Sequence, residues 1–222
     1  MNGLNGADKF SIFEWSVEMV QSAKGSLKRI AKRLRLKLQS KTSRPLRVVI
    51  GSGGIPVPGW LVTDIDQLNI LADGDWRRYF APGSIDTILA EHVWEHFSMD
   101  EGAAAARLCF RYLRLGGRLR IAVPDGLHPD PGYVNAVRPG GTGPGAEDHK
   151  VLYTWRAFQN LFQEAGFSTR LLEYFDEKGQ FHAVEWNPSD GMIRRSLHFD
   201  SRNAGGDLNY SSIVIDAIKP HS

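Results

Sequence analysis

The chain has one cysteine, Cys109, in 222 residues, which excludes a disulfide framework and argues for a reducing, cytoplasmic compartment. Cys109 sits in an apolar helical run from Ala103 to Leu113 and reads as a small buried hydrophobe rather than a nucleophile. No Cys/His group has the spacing of a metal site, so no metal is expected. No run of about 18 apolar residues is present to span a bilayer, and no secretory leader is expected. Acidic residues are missing from one stretch. Between Lys24 and Arg47 stand ten basic residues and no acidic one, while the rest of the chain nets −8.

Within that stretch Leu27, Ile30, Ala31, Leu34 and Leu38 recur at helical spacing, with Lys28, Arg29, Lys32, Arg33, Arg35 and Lys37 between them. This is a basic amphipathic helix. One reading is peripheral contact of residues 24–47 with an anionic membrane surface, at its inner face. The other packs the apolar stripe on the chain's own domain or on a second copy in a homodimer. No nucleic-acid partner is expected, because no recognition motif accompanies the charge and the charge is confined to one appendage.

The most informative segment is residues 48–66. An apolar run, Val48 to Ile50, opens into Gly51-Ser52-Gly53-Gly54, and a second run, Trp60 to Val62, leads to Asp64. This reads as a buried strand, a glycine turn, a second strand and a carboxylate at its tip. Such a turn lets a ligand approach the backbone closely, and such a carboxylate can accept from two ribose hydroxyls. Asp64 follows Gly53 by only 11 residues, with Pro56 and Pro58 between them. A dinucleotide fingerprint places its acidic residue about 20 residues on, after a full helix. Here no helix N-terminus is left for a pyrophosphate. A nucleoside cofactor without phosphates fits better, with S-adenosylmethionine as the candidate.

The chain divides into an N-terminal helical extension, 1–44, and an α/β domain, 45–222. A first helix is expected near Ile12 to Ala23. Strands are expected at 47–50, 60–65, 68–72, 85–90, 118–123, 169–174 and 210–218. Helices are expected at 100–113, stopped by Gly116-Gly117, and at 154–165. Residues 124–150, rich in glycine and proline, read as one long loop. Residues 175–208 read as an irregular insertion with a hairpin strand over 180–186. Strand–helix alternation gives a Rossmann-like, mostly parallel seven-stranded sheet, and the last strand, lacking a helix before it, runs antiparallel. Ligands in such sheets bind beyond the carboxyl ends of the strands. Gly51, Asp64, the 73–76 turn, Glu91-His92 and Asp125 all fall there.

These pieces together resemble class I S-adenosylmethionine-dependent methyltransferases. The resemblance rests on Val48-Val49-Ile50-Gly51-Ser52-Gly53-Gly54, on Val62-Thr63-Asp64, and on Asp75-Trp76 before Pro82-Gly83-Ser84-Ile85-Asp86. It also rests on Glu91-His92-Val93-Trp94-Glu95-His96 and on Leu113-Arg114-Leu115-Gly116-Gly117-Arg118-Leu119, where Leu115 replaces a usual proline. The short first crossover resembles a bacterial subgroup of small predicted methyltransferases, some associated with cell-surface polysaccharide genes. The resemblance implies that Gly51, Ser52 and Gly53 line the cofactor and that Asp64 binds its ribose. It places Asp75 at the adenine amino group, Trp76 over the ring, and Glu91 and His92 at the methionine end. Val49-Ile50 depart from the pattern, which often has an acidic residue there.

Methyl transfer to a hydroxyl needs positioning and a proton acceptor. His92, His96 and His149 are the candidate bases. For the acceptor, a small molecule or sugar, the candidates are His128, Tyr133, Arg138, Trp155, Trp186, Arg194 and Arg195, on the 124–150 loop, at the start of the helix after it and on the 175–208 insertion, which reads equally as a lid or a packed cap. Two other functions stay open: a non-catalytic Rossmann-like module, and a nicotinamide-dependent oxidoreductase, which the short crossover disfavours.

Overall fold

The computed structural model describes residues 25–221; the helix expected near Ile12 to Ala23 lies outside them. A basic helix, α1, covers residues 25–42. It is followed by β1 (Arg47–Ile50), β2 (Leu61–Thr63), α2 (Asp73–Tyr79), β3 (Ile85–Glu91), α3 (Met99–Tyr112) and β4 (Leu113–Pro124). Then come α4 (Pro131–Val137), α5 (Trp155–Glu164), β5 (Ser168–Phe175), β6 (Phe181–Ala183) and β7 (Ser212–Ile218).

The seven strands form one sheet in the order β2-β1-β3-β4-β7-β5-β6. The first four are mutually parallel. β7 enters antiparallel between β4 and β5, as the missing helix before it requires, and β6 pairs antiparallel with β5 as a hairpin. The fold is therefore Rossmann-like and mostly parallel. Its seventh strand is the hairpin strand, however, and not residues 68–72. Those residues do not join the ladder because side chains take their amides. Asn69 N donates to Asp75 Oδ2 at 3.0 Å and Leu71 N to Asn69 Oδ1 at 3.0 Å.

Side-chain alternation sorts the sheet into two faces. Val48, Ile50, Ile88, Leu119, Ile121, Ile213 and Ile215 point to the main core, which α2, α3 and α5 complete with Trp76, Ala105, Cys109, Phe158 and Phe162. Cys109 is fully buried, and burial pushes its thiol far up, as expected of a core hydrophobe. The opposite face, with Val49, Leu89, Ala122 and Val214, is covered by Ile193 and by Trp186 of the insertion. Arg120 fastens that cover. Its guanidinium forms a two-point pair with Asp216 at 2.7 and 2.9 Å and donates to the carbonyls of Asn187 and Gly191.

Two local expectations are corrected. The helix before β4 ends at Tyr112 and β4 begins at once, so Gly116-Gly117 do not stop a helix. They pair instead with the chain end: Gly116 N donates to the Lys219 carbonyl and Lys219 N to that of Gly117, each at 2.9 Å. The 124–150 loop contains α4, which starts as Asp130 accepts from Gly132 N with Pro131 in the first turn. The basic helix α1 packs on the domain in part: Leu36 joins the main core, and Arg33 donates to the Asp66 carbonyl at 2.7 Å. Of the stripe, Leu27, Ile30, Leu34 and Leu38 do not pack on the domain and are each more than half accessible.

Candidate functional site

At the carboxyl end of β1 the chain turns through Gly51, Gly53 and Gly54, with φ of +66°, +59° and +77°. Such angles favour glycine. Asp64, just past β2, closes the turn. Its Oδ1 accepts from Gly53 N at 2.8 Å, and its Oδ2 accepts from Ser52 Oγ at 2.9 Å and Gly54 N at 3.1 Å. A carboxylate offers about four lone-pair positions, so Oδ1 keeps one for a ligand hydroxyl. The three glycines differ in what stands over them. A Cβ on Gly51 would meet Val93 Cγ2 at 2.6 Å, whereas nothing lies within 4 Å of one on Gly53 or Gly54. The turn's open side is therefore at Gly53 and Gly54.

A cleft of about 570 Å³ runs from Ser52, Gly54 and Asp64 along Trp60 and Val62 to Lys32, Arg35 and Gln39 of α1. Its size suits a small organic ligand. The basic helix α1 thus supplies one wall. None of Glu91, His92 or Glu95 lines this cleft, so the polar groups beyond β3 form a separate zone.

Of the two residues expected near an adenine, Trp76 is placed differently. Trp76 is fully buried, donates to the Ile70 carbonyl at 3.0 Å and stacks on Tyr112 at 5.0 Å. It is a core side chain and cannot cover a ligand ring. Asp75 stands in the first turn of α2 with Oδ2 taken by Asn69 N and Oδ1 3.3 Å from Arg78. Glu91, expected at the methionine end, binds the insertion: its two oxygens accept from Arg194 N at 3.1 Å and Arg195 N at 2.9 Å.

The segment after β3 gathers the candidate bases. His92 has φ of +54°, a left-handed conformation uncommon for a side-chain-bearing residue. Its N–H donates to the Ala122 carbonyl at 2.8 Å. Ser212 Oγ spends its only hydrogen on the Arg195 carbonyl at 2.7 Å, so His92 Nε2, 3.1 Å away, must be the donor to Ser212. The Nδ1 of a neutral His92 then carries a lone pair, and it lies 3.2 Å from Glu95 Oε1. Two acceptors facing each other need a proton or another cation between them.

Glu95 is buried at 1% exposure, and neither carboxylate oxygen has a hydrogen-bond partner; the His92 contact meets the distance without the direction. Its carbonyl accepts from Lys150 N at 2.7 Å and Val151 N at 3.2 Å. This clamp draws the preceding residue, His149, onto His96, with ring centroids 4.9 Å apart. Donor atoms of Glu95, His96 and His149 all lie within 4.8 Å of one another. His149 Nδ1 is 2.7 Å from the Val137 carbonyl, which only accepts, so Nδ1 donates and Nε2 is left free. The folded chain thus brings His92, His96 and His149 around a carboxylate, and Glu95 is the residue the spacing did not single out. Its one sequence signal was a charged residue inside the buried Trp94–His96 turn.

The acceptor candidates divide. Arg194 and Arg195 reach the end of β3 beside Glu91, with Arg195 Nη1 3.9 Å from Glu91 Oε1. Tyr133 does not face solvent. It is buried between His128 and Tyr210, receives Asp125 N at 3.0 Å and donates to the Ser211 carbonyl at 2.7 Å. His128 is buried too, with Nδ1 accepting from Asp130 N, and burial pushes its imidazole below its usual range. Arg138 is exposed and bound to its own helix through Asn135. Trp186 packs on the sheet face, donates to Glu173 Oε1 at 2.9 Å and lies under the Arg120 guanidinium. Trp155 packs against Tyr174 with the rings tilted, centroids 5.3 Å apart. Tyr133, His128, Trp155 and Trp186 therefore hold structure together, and the insertion's central part is a packed cap.

No family model and no curated protein matches this sequence. Among solved structures the chain is similar to a SAM-dependent methyltransferase from Archaeoglobus fulgidus, at 15% identity and a TM-score of 0.48 over 86% of this chain and 94% of that one. It is also similar to a SAM-dependent methyltransferase and possible histamine N-methyltransferase from Thermotoga maritima, at 14% identity and a TM-score of 0.48 over 90% and 95% of the two chains. A third is the putative methyltransferase in complex with the Haloferax volcanii Trm112 activator, at 9% identity and 0.48 over 91% and 97%. Likeness at this level assigns no activity to this chain.

Proposed function

We propose that this protein is an S-adenosylmethionine-dependent methyltransferase acting on a small-molecule or glycan-type acceptor. The observation that carries the reading is the Gly53-Gly54 turn bound to Asp64 across β1 and β2, with no helix between those strands. Such a turn suits a ribose and offers no seat for a pyrophosphate. The residues fit the cofactor at its ribose: Gly53 and Gly54 have open space above them, and Asp64 Oδ1 keeps a free lone pair. When bound, the cofactor supplies a methyl group on a sulfonium. The chain's own part is to bind, orient and remove a proton. His149, with Nδ1 donating to Val137 and Nε2 free, is the best-oriented base for an acceptor hydroxyl. Arg194 and Arg195 stand where an anionic acceptor group can be held.

Calorimetry with S-adenosylmethionine, its demethylated product and NAD tests the reading. Binding of the first two and not of NAD supports it. Binding of NAD alone supports an oxidoreductase. Binding of none supports a non-catalytic module, which Val93 packed over Gly51 would then explain.

A second feature bears on location. Among the described residues no helix is long and apolar enough to cross a membrane. The exposed stripe of Leu27, Ile30, Leu34 and Leu38, flanked by Lys28, Arg29, Arg35 and Lys37, supports peripheral contact with an anionic lipid surface. A second copy of the chain is the competing occupant.

A further inference from the structure

We infer that Glu95, His96 and His149 form a binding site for one divalent first-row transition ion, with zinc as the type. The inference rests on the geometry of the cluster and not on the methyltransferase reading; with an ion bound, the Nε2 lone pair of His149 is taken by the ion and His149 does not act as the base. Three observations converge on it. Donor atoms of the three residues lie within 4.8 Å of one another. Glu95 is 1% exposed, and both its oxygens lack a hydrogen-bond partner. A buried carboxylate in that state is costly unless a cation compensates it. Third, the Val137 carbonyl takes the Nδ1–H of His149 at 2.7 Å. Metal-binding histidines are oriented by such a bond, which fixes the tautomer and raises the basicity of the free Nε2.

The donor chemistry narrows the ion. Two imidazoles and one carboxylate suit zinc, iron(II) or nickel, whereas magnesium and calcium prefer oxygen donors throughout. Donors on one zinc ion stand about 3.3 Å apart, from bonds of about 2.0–2.2 Å. The present spread of up to 4.8 Å has to close mainly by rotation of the partly buried His96, since His149 is held by the Val137 carbonyl. Three protein ligands leave at least one coordination position for a water or for an oxygen of a bound molecule.

The sequence hides this set. Glu95 and His96 are neighbours in a short turn, and His149 comes from beyond β4 and α4. The two parts meet because Lys150 N and Val151 N both donate to the Glu95 carbonyl.

The test is a zinc titration of the full chain, purified without a histidine tag and stripped with a chelator, followed by calorimetry. We expect one zinc per chain at micromolar affinity or tighter, and no heat with magnesium at the same concentration. His96→Ala and His149→Ala should each weaken binding at least tenfold while the thermal melting point without metal stays near that of the parent. Their partly buried side chains make both variants tolerable, unlike Glu95→Ala. His198→Ala, at an exposed histidine outside the cluster, should leave binding unchanged. Visible absorption of the cobalt(II) form gives a second readout, and it should change in intensity or shape in His149→Ala. Zinc binding equal in the parent and in the His96→Ala/His149→Ala double variant, or no binding below millimolar zinc, would overturn the proposal.

Discussion

Asp64 Oδ1 accepts the backbone N–H of Gly53 at 2.8 Å, so the carboxylate at the tip of β2 shapes the glycine turn at the tip of β1. Asp64→Ala should therefore weaken binding of the demethylated cofactor by roughly 1–3 kcal/mol, from a lost ribose partner and a loosened turn. Ser52→Ala, which removes one of the three contacts of Asp64 and the bond from Gly54 N to Ser52 Oγ, should cost about 0.5–1.5 kcal/mol. Calorimetry on both variants decides: unchanged affinity in a folded Asp64→Ala protein sinks the ribose assignment.

Arg120 and Asp216 are a buried pair, with the guanidinium 1% exposed and the carboxylate 6% exposed. Removing Asp216 strands the Arg120 charge, and removing Arg120 leaves Asp216 with only the looser contact to Arg118 at 3.5 Å. Asp216→Leu and Arg120→Met should each destabilise the fold by about 3–5 kcal/mol in urea unfolding, and the double variant Arg120→Met/Asp216→Leu should recover much of the loss. Strictly additive losses would show that the pair is not the relevant unit.

Asp125, at the end of β4, has its carboxyl pushed up to about 6 by burial, opposed by hydrogen bonds from Phe175 N and Leu127 N. A raised acid favours the fold while protonated. Its contribution is fully present below the unfolded value of 3.8 and is lost as pH rises through about 6. The gap corresponds to roughly 3 kcal/mol as an upper figure. The stability of the parent minus that of Asp125→Asn should fall by up to this amount between pH 4 and pH 7. A difference flat across that range refutes the assignment.

The exposed stripe of α1 should carry the protein onto vesicles containing phosphatidylserine and not onto neutral ones, with binding that falls as salt rises. Leu34→Glu should reduce the bound fraction about tenfold, since burying one leucine is worth about 1.5–3 kcal/mol. Sedimentation with vesicles measures this. A concentration-dependent dimer that Leu34→Glu dissociates, without vesicle binding, would assign the stripe to a second copy.

Elements with strong local signals were legible in the sequence. The apolar runs at 47–50 and 85–90 and the Ser98-capped helix stand nearly where expected, because burial and capping act over a few neighbours. The antiparallel last strand followed from a missing helix. The strand expected at 68–72 failed because Asn69 and Asp75 offered its amides closer partners than a neighbouring strand did. The Asp130-Pro131 start of α4 was present in the sequence, masked by the glycines and prolines around it.

The sequence by itself determined the turn chemistry: glycines where φ is positive, and a carboxylate close enough to bind them. Only the tertiary structure decided which candidates stand together. His149 meets Glu95 and His96 because two backbone amides 54 and more residues downstream of His96 bond to one carbonyl, a pairing no local pattern encodes. Tyr133, Trp76 and Trp186 carry the same aromatic signal whether they face a ligand or a core. Burial, set by long-range packing, assigned all three to the protein's own interior contacts.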